Sequence, residues 1–455
     1  MPLSRRETLR ILGAGFGSVG LAEGLRAAAG KAPHYAARAK RVIFLYLNGG
    51  MSHVDTFDPK PALAKFDGQP MPGPKIKTDR ASGGLMKSPF EFRPFAESGI
   101  EVSEIFSHVG SCIDDILVVR SMWSESVNHL PSMLMMNTGH ALRGGSRPSF
   151  GSWVVYGLGT DNQNLPGFVV LCPGTPVGAA RNWSSSFLPT EFHGALLRNN
   201  AETPDTVIRN IANPTYTLDQ QRRQLELLDR LDASFLHRVG FDPRLESNIQ
   251  AMETAFRMQT EAPGIFDLAK EPEHVRARYG DGEFGRGCLM ALRLAEAGIR
   301  VVQVYYGDGQ PWDSHDDIMT QKDHAERSDG PIAALIEDLK LRGMLDETLV
   351  IVGSEFGRTP MIQNSGTEKV GRGRDHNPPG YSILLAGGGI RGGQTYGATD
   401  DFGYKAVDKP VTPHDLHATA LHLLGLDHTK LTYRYSGRDF RLTDIHGSVV
   451  QDWLT

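Results

Sequence analysis

The chain has 455 residues and a formal net charge of −5 at pH 7, with 40% hydrophobic and 22% charged residues. This composition is typical of a globular protein with a sizeable core, and it excludes a disordered or fibrous chain. No apolar run reaches the roughly 18 to 20 residues that a bilayer span needs, which excludes a multi-span membrane protein. Lys and Arg are scattered along the chain rather than clustered, so we expect no nucleic-acid partner.

The first 29 residues have the pattern of an export signal. Arg5 and Arg6 precede a Gly- and Ala-rich apolar stretch from Ile11 to Leu25, and residues 27–29 are the small residues that a signal peptidase accepts. This order resembles a twin-arginine signal at residues 1–29 and predicts a periplasmic or secreted protein. The alternative is an ordinary amphipathic helix with two chance arginines. Removal of the signal would take away four arginines and two glutamates, which changes the net charge from −5 to −7.

Short apolar runs rich in β-branched and aromatic residues recur along the remaining chain, and each predicts a strand buried on both faces of a sheet. They are Arg41–Leu47, Ile116–Val119, Phe168–Leu171, Val301–Tyr306, Leu349–Val352 and Ile383–Leu385. Amphipathic segments at Gly287–Ala297 and Pro331–Arg342 predict helices before the fourth and fifth strands. Because this alternation is typical of βαβ units, we predict an α/β fold with one doubly wound, mostly parallel sheet and helices on both faces.

Two segments interrupt the alternation. Residues from about Thr203 to Lys270 are polar and have a helical pattern, which predicts a helical insertion or cap within a single domain spanning residues 40–455. Its apolar positions lie three or four residues apart, at Leu225, Leu228, Leu231 and Phe235. Residues Pro59–Pro94 are rich in Pro, Gly and Lys and predict a surface excursion.

Polar side chains follow the predicted strands at the points where they end. In open α/β sheets, ligands bind beyond the carboxyl ends of the strands, so these loops are candidates for a common site. The candidates are Asp55 after the first strand, His129 after the second, Asp313 and His315 after the fourth, Glu355 and Arg358 after the fifth, and His376 before the sixth. Carboxylates and imidazoles suit Zn²⁺, Mn²⁺ or a similar ion, whereas three widely spaced cysteines form no Cys-rich site.

These candidates also have simpler structural interpretations. Glu355 is the hardest to explain in this way, because a carboxylate directly after a buried strand is costly unless it is paired or metal-bound. Asp55 could cap a turn, and Asp313 could cap a helix beside a solvated His315. His376 could be an ordinary polar loop residue, and His129 could simply begin a helix.

Four stretches together resemble the alkaline phosphatase superfamily, which includes sulfatases, and more closely an exported, sulfatase-like family known as domain of unknown function 1501. They are Asn48–Lys60, the helix ending in Thr138-Gly139, Asp329–Gly357 and Pro413–Asp427. The resemblance implies an alkaline phosphatase-like fold with one or two divalent ions, zinc being the first choice and manganese an alternative. It carries metal binding onto Asp313, His315, Glu355 and His376.

Three positions depart from the superfamily pattern. Phe356 stands where the superfamily has a metal-binding His. Gly49 stands where it tends to have a metal-binding Asp, so Asp55 or His53 would have to take that role. His129 stands where the Ser, Thr or modified Cys nucleophile is expected, and no cysteine begins the C-x-P-x-R sequence of formylglycine sulfatases.

The absence of the usual nucleophile leaves several roles open for His129. It could attack phosphorus, bind the metal or act as a base, and Ser126 and Ser132 are substitute nucleophiles at helix-turn spacing. Arg358 is our candidate for binding the substrate anion, because a guanidinium beside a metal would favour developing negative charge.

The leading hypothesis is an exported metal-dependent hydrolase of phosphate or sulfate esters. Its expected substrate is a small anionic ester, including sulfated or phosphorylated carbohydrates. One alternative is a non-catalytic binding or assembly protein that kept the fold and lost the nucleophile. Another is a metal-dependent isomerase or mutase of a phosphorylated metabolite. The sequence leaves the oligomeric state open.

Overall fold

The computed structural model describes residues 33–73, 76, 78–141, 145–162, 164–200, 215–239, 256–257, 263–363 and 372–455. The predicted export signal at residues 1–29 lies outside these ranges. None of the helices within these ranges is long and apolar enough to cross a membrane.

The strands are short and distributed along the whole described chain. They are β1 (Arg41–Tyr46), β2 (Ser82–Leu85), β3 (Phe92–Phe95), β4 (Ile100–Ser103), β5 (Ile116–Met122), β6 (Phe168–Leu171), β7 (Ala195–Leu197), β8 (Val301–Tyr305), β9 (Thr348–Gly353), β10 (Gly357–Gln363), β11 (Arg374–Asn377), β12 (Tyr381–Ala386), β13 (Gln394–Tyr396), β14 (Ala398–Thr399), β15 (Ala406–Asp408), β16 (Tyr433–Tyr435) and β17 (Arg438–Phe440).

The helices lie between these strands. They are α1 (Pro61–Lys65), α2 (Ser107–Ser111), α3 (His129–Thr138), α4 (Phe150–Leu158), α5 (Leu218–Val239), α6 (Glu273–Tyr279), α7 (Glu283–Glu296), α8 (Thr320–Leu341) and α9 (Pro413–Leu423).

The central strand β1 is covered on both faces. It pairs in parallel with β9 and β8 inside an eight-stranded sheet of order β13-β5-β12-β9-β1-β8-β6-β7. Ile43 and Leu45 pack in a cluster with residues of α7 and α8, while Val42 and Phe44 pack in a second cluster with residues of α4 and α9. Because successive side chains of a strand point to opposite faces, its apolar run needs helices on both sides. The predicted doubly wound, mostly parallel α/β architecture is confirmed.

One core strand, β12, has a direction that the sequence analysis did not foresee. It runs antiparallel to both β5 and β9, whereas the other pairings of the large sheet are parallel. The chain leaves β9 at its carboxyl end, forms β10 and β11 there, and reaches β12 after only residues 378–380. A parallel return would need a crossover of roughly a dozen residues or more. β12 therefore starts at the edge where β9 ends.

A small antiparallel sheet of order β11-β10-β2 lies at this edge of the large sheet. Its strand β2 belongs to residues 59–94, which therefore contain more regular structure than the predicted surface excursion. Leu63 of α1, Leu85 of β2 and Met361 of β10 form a separate buried cluster. The two glycines in the four-residue β2 explain why no strand pattern was visible there.

Helix α8 begins at Thr320 rather than at the predicted Pro331, which lies inside it. Its first turns face the interior with polar groups, so an apolar periodicity could not reveal them. Gln321 is fully buried, donates to the carbonyl of Trp312 at 2.9 Å and accepts from the backbone N–H of Ser52 at 2.9 Å. These hydrogen bonds tie the start of α8 to the loops after β1 and β8.

Helix α5 falls within the predicted insertion at residues 203–270, and a helix at this place is confirmed. Leu225 is half-buried and Leu228 is exposed. The side chains of Leu231 and Phe235 lie outside the described part of the chain, as do residues 201–214, 240–255 and 258–262. The extent of the insertion and its role as a cap stay predictions.

A buried histidine on α9 makes the stability depend on pH. His417 donates from Nε2 to the carbonyl of Met136 at 2.8 Å and stacks on Phe150, and burial lowers its pKa to about 3. The unfolded chain binds a proton near pH 6.5, so the free energy of unfolding falls as the pH decreases from 6.5 towards 3. We expect His417 to account for a loss of about 2 kcal/mol between pH 7 and pH 5.

The measurement is denaturant unfolding of the wild type and of His417→Gln at both pH values. Gln can still donate to the Met136 carbonyl but does not titrate. The wild type should lose about 2 kcal/mol more than the variant on acidification. Equal losses would show that His417 does not stay neutral in the fold.

Candidate metal centre

The loops after β1 and β8 touch each other through their backbones. The side-chain amide of Asn48 donates to the carbonyl of Gly309 at 2.7 Å. Gly49 has a φ of +122°, and a Cβ at this position would come within 2.6 Å of the Trp312 nitrogen and 2.7 Å of the Asp313 nitrogen. Only glycine fits so close an approach. This explains why the Asp expected from the resemblance is missing at Gly49.

Four side chains converge beyond the carboxyl ends of the strands. His129 is the first residue of α3, Asp313 and His315 lie in the loop after β8, and His376 lies in β11. One ligand atom of each lies within 4.8 Å of the other three. The Asp313 oxygens are 3.3 Å from Nε2 of His129, 2.9 Å from Nε2 of His315 and 3.2 Å from Nε2 of His376. Sequence analysis named all four residues, and the structure brings them together.

Each of the three imidazoles has an oxygen acceptor at its Nδ1. The acceptors are Oε1 of Glu355 for His129 at 2.7 Å, the carbonyl of Val127 for His376 at 2.6 Å, and Oε1 of Gln363 for His315. Because these oxygens accept, each Nδ1 carries the hydrogen. In the neutral ring, the Nε2 lone pair then faces Asp313. Such acceptors behind imidazoles are typical of metal-binding histidines.

Three neutral rings in this tautomer would turn three lone pairs towards the Asp313 carboxylate and repel it, so either a cation or protons must lie between these atoms. The Nε2 atoms of His129 and His315 are buried and have no hydrogen-bond partner in the described part of the chain. Ligand atoms about 2.1 Å from one tetrahedral ion lie about 3.4 Å from each other. The distances from the imidazoles to Asp313 are near this value, at 3.3 Å from His129 to Oδ2 and 2.9 and 3.2 Å from His315 and His376 to Oδ1. The four residues therefore fit a single divalent ion.

Without an ion, protons supply the positive charge. Burial alone would lower the pKa of His129, but its contacts with Asp313 and Glu355 outweigh burial and raise it to about 9. Burial would raise the pKa of Asp313, but its contacts with the three histidines hold that pKa well below the usual range. Burial lowers the pKa of His376. An ion bound by Nε2 of His129 would displace the proton from that nitrogen.

Glu355 lies behind His129, and it reaches the cluster through that ring. It is fully buried and accepts from the backbone N–H of Gly49 at 3.0 Å in addition to His129, and its Oε2 lies 2.9 Å from the Ser354 hydroxyl oxygen. Burial would raise the pKa of Glu355, but the hydrogen bond from His129 lowers it. The structure thus places an ionised carboxylate against the Nδ1 of His129.

Arg358 is fully buried, and each of its three nitrogens already donates to a protein oxygen. The acceptors are the carbonyls of Gly50 at 2.9 Å, Arg374 at 3.2 Å, Trp312 at 3.2 Å and Gly49, together with Oδ1 of Asp313 at 2.6 Å. The guanidinium therefore orients Asp313 in this structure. The predicted contact with a substrate anion would require some of these hydrogen bonds to change.

Asp55 has a different partner from the one predicted. Its oxygens accept from Nε of Arg374 at 2.8 Å and from Nη2 at 3.1 Å, and both side chains are completely buried. Among the described residues, Asp55 belongs to neither group of side chains whose ligand atoms lie within 4.8 Å of one another. In this structure the Asp55 carboxylate is paired with the Arg374 guanidinium and does not lie with the candidate metal ligands.

Phe356 forms an apolar wall beside the cluster. Its ring centroid lies 4.9 Å from that of His129 and 4.5 Å from that of His376. A Cβ on Gly50 would come within 2.8 Å of this ring, so the loop after β1 packs directly against it. The position at which the resemblance led us to expect a histidine thus presents an apolar ring to His129 and His376.

Sequence analysis missed the two oxygens behind His315 and His376. Gln363 ends β10, which pairs antiparallel with β11. Predicting these two strands as a pair would have been the way to find this contact from the sequence. The Val127 acceptor is a backbone carbonyl, for which no side-chain pattern exists. These contacts follow from the fold rather than from residue type.

The substitute nucleophiles make hydrogen bonds of their own. The Ser132 hydroxyl donates to the carbonyl of Ser126 at 2.8 Å, which fixes the start of α3. The Ser126 hydroxyl accepts from the backbone N–H of Asn128 at 3.2 Å. Both serine side chains therefore have partners at the start of α3.

A second group shares His376 with the first. It consists of Asp79, Asp375 and His376. Asp79 is exposed, and the Asp375 oxygens already accept from the backbone nitrogens of Arg80 at 2.7 Å and His376 at 2.8 Å. Its buried carboxylate is thus satisfied by the protein.

Comparisons with known proteins give similar folds and one family. Similar solved structures include the PsFucS1 sulfatase from Pseudoalteromonas sp., 13% identical over 94% of this chain and 72% of that chain with a TM-score of 0.35. They also include the lipoteichoic acid synthase LtaP from Listeria monocytogenes, 10% identical over 92% and 80% with a TM-score of 0.38, and a TAB5 alkaline phosphatase variant with Mg bound, 10% identical over 86% and 99% with a TM-score of 0.37. No curated protein matches. A family described as protein of unknown function (DUF1501) matches residues 39–454, and the chain belongs to this family.

Proposed function

We propose that this protein is an exported, metal-dependent hydrolase of phosphate or sulfate esters. The observation that carries the proposal is the convergence of three imidazole Nε2 atoms on the carboxylate of Asp313, with a fixed acceptor behind each ring. Such a ligand set suits zinc, with manganese as an alternative. The N-terminal twin-arginine pattern supports a periplasmic or secreted location.

The residues of the cluster would bind the ion, and the more exposed side of the cluster would admit the substrate. His129, Asp313, His315 and His376 would hold one ion, which would supply Lewis-acid chemistry by polarising an ester oxygen or acidifying a water. The Asp313 side chain is 20% exposed, whereas the three imidazoles are 6 to 9% exposed. Substrate should therefore approach from the Asp313 side, while the Phe356 ring covers the side formed by His129 and His376.

The proposed substrate class is a small anionic ester, including sulfated or phosphorylated carbohydrates. Its support is the sequence resemblance to the alkaline phosphatase superfamily together with the positive charge of the proposed ion. Arg358 would contribute by orienting Asp313, which it contacts at 2.6 Å. Because Arg358 donates to it, the Asp313 carboxylate would keep the same orientation before and after the substrate binds.

A second candidate function is a non-catalytic exported binding protein. It is favoured by one observation, that the position expected for the nucleophile holds His129, whose Nε2 is buried within the cluster. In this alternative the ion would be structural or would hold an anionic ligand without cleaving it.

The test is hydrolysis of aryl phosphate and aryl sulfate esters by the purified protein, loaded in turn with zinc and manganese. We expect hydrolysis of at least one ester class that disappears on chelation and falls by at least about 100-fold in His376→Ala. His324→Ala is the matched control, because His324 is a part-buried imidazole that contacts Tyr306 outside the cluster. A metal-loaded protein that cleaves neither class would favour the binding function.

A further inference from the structure

His129 occupies the position at which the resemblance places a nucleophile, and its two nitrogens have very different surroundings. Nδ1 lies 2.7 Å from the carboxylate of Glu355. Nε2 lies 3.3 Å from Asp313, is buried and has no hydrogen-bond partner in the described ranges. A carboxylate behind an imidazole would serve a nucleophile as well as a metal ligand, so the hydrogen bond to Glu355 alone does not distinguish these roles.

The burial of Nε2 distinguishes them. A nucleophile must reach the phosphorus or sulfur of an ester, whereas this nitrogen is buried and lies in one group with Asp313, His315 and His376. The rings of His376 and Phe356 lie 4.4 and 4.9 Å from that of His129 and close its sides. An ion fits between these atoms, while an ester would have to displace the ring.

We propose that His129 is a metal ligand rather than a covalent nucleophile, and that Glu355 is the positioning residue that holds it as the Nδ1–H tautomer. This inference rests on the proposed metal site and gives it four protein ligands: Asp313 and three imidazoles. It implies that the chain supplies no covalent nucleophile from this position. In a hydrolysis without a covalent intermediate, the water oxygen bonds to phosphorus or sulfur, the ester bond breaks, and one proton of the water goes to the leaving alcohol or phenol. Glu355 acts through His129 and does not bind the ion.

The environment of Glu355 allows a conservative test. In Glu355→Gln, the amide oxygen can still accept from His129 and Gly49, and the amide N–H₂ can donate to the Ser354 hydroxyl, which itself donates to the Leu47 carbonyl at 2.7 Å. The variant therefore keeps the hydrogen bonds that Oε1 accepts from His129 and Gly49, and it loses the negative charge. Glu355→Ala loses both.

The experiment measures the dissociation constant for Zn²⁺ by competition with a chromophoric chelator, and the visible spectrum of the protein loaded with Co²⁺. We expect His129→Ala to weaken Zn²⁺ binding by more than about 100-fold and to change the Co²⁺ spectrum, because one nitrogen ligand is lost. Glu355→Ala should weaken binding by about 10- to 100-fold, and Glu355→Gln by less.

Asp338→Asn is the matched control. Asp338 is a buried carboxylate that accepts from Tyr279 at 2.9 Å and pairs with Arg278 away from the cluster, so its replacement should leave both readouts unchanged. Wild-type affinity and an unchanged Co²⁺ spectrum in His129→Ala would overturn the inference while leaving the metal site intact. Absence of Zn²⁺ binding by the wild type would instead overturn the proposed function. If His129→Ala does not fold, the two Glu355 variants test the inference instead. Weaker Zn²⁺ binding in Glu355→Ala than in Glu355→Gln would support it, and wild-type affinity in both would overturn it.

Discussion

Replacement of His315 by Ala is expected to abolish stoichiometric metal binding. Its Nε2 lies 2.9 Å from Oδ1 of Asp313, and its Nδ1 is held by Gln363, so removal of the ring takes away a preorganised ligand. We expect the bound metal to fall from about one ion per chain to below about 0.1, measured by elemental analysis after gel filtration.

The control for this variant is His324→Ala. It removes a part-buried imidazole that contacts the Tyr306 hydroxyl at 3.0 Å and lies outside the cluster. Its metal content should equal that of the wild type. Full metal occupancy in His315→Ala, with the fold intact by circular dichroism, would remove His315 from the ligand set.

Replacement of Asp55 by Ala should destabilise the fold by about 3 to 5 kcal/mol, because it leaves the buried guanidinium of Arg374 without its counter-charge. Both side chains are completely buried, and Nε of Arg374 lies 2.8 Å from Oδ2 of Asp55. Urea denaturation measures the change in the free energy of unfolding.

Two further variants serve as controls for Asp55→Ala. Asp452→Ala breaks the exposed contact with Lys409, which spans 2.7 Å, and should change the stability little because solvent screens the pair. Asp55→Asn keeps one acceptor for Arg374 and should retain the full metal content. Loss of metal in Asp55→Asn with little change in stability would restore Asp55 as a ligand and contradict the structural role.

The sequence predicted the central strands well for a physical reason. A run such as that of β1 is apolar at nearly every position, and this pattern arises when helices cover both faces of a parallel sheet. The direction of β12 could not be predicted in the same way, because its side chains are equally buried in either direction. Its direction depends on the short connection from β11. That connection makes β12 begin at the edge of the sheet where β9 ends.

The start of α8 illustrates a second limit. A helix is visible in a sequence when it buries an apolar stripe, and Pro331 marks where that stripe begins. The preceding turns bury Gln321 and other polar groups that bond to loops far away in the sequence. Such contacts carry no local period, so the predicted helix began too late.

The candidate site was predicted in part. His129, Asp313 and His315 follow strands whose carboxyl ends share one edge, and His376 precedes β12, whose amino end lies at the same edge. Asp55 satisfies the same rule but meets Arg374. Sequence alone does not distinguish a carboxylate bound to a metal from one paired with a buried arginine, because both are costly to bury alone. The choice depends on the small sheet that carries Arg374.

Diffraction from crystals of the purified protein, collected above and below the zinc and manganese absorption edges, is the most direct test of the metal site. We expect one anomalous peak per chain, between the Nε2 atoms of His129, His315 and His376 and the carboxylate of Asp313, with Glu355 outside bonding distance. A peak bound to Asp55 or Glu355, or no peak after soaking in either metal, would contradict this expectation.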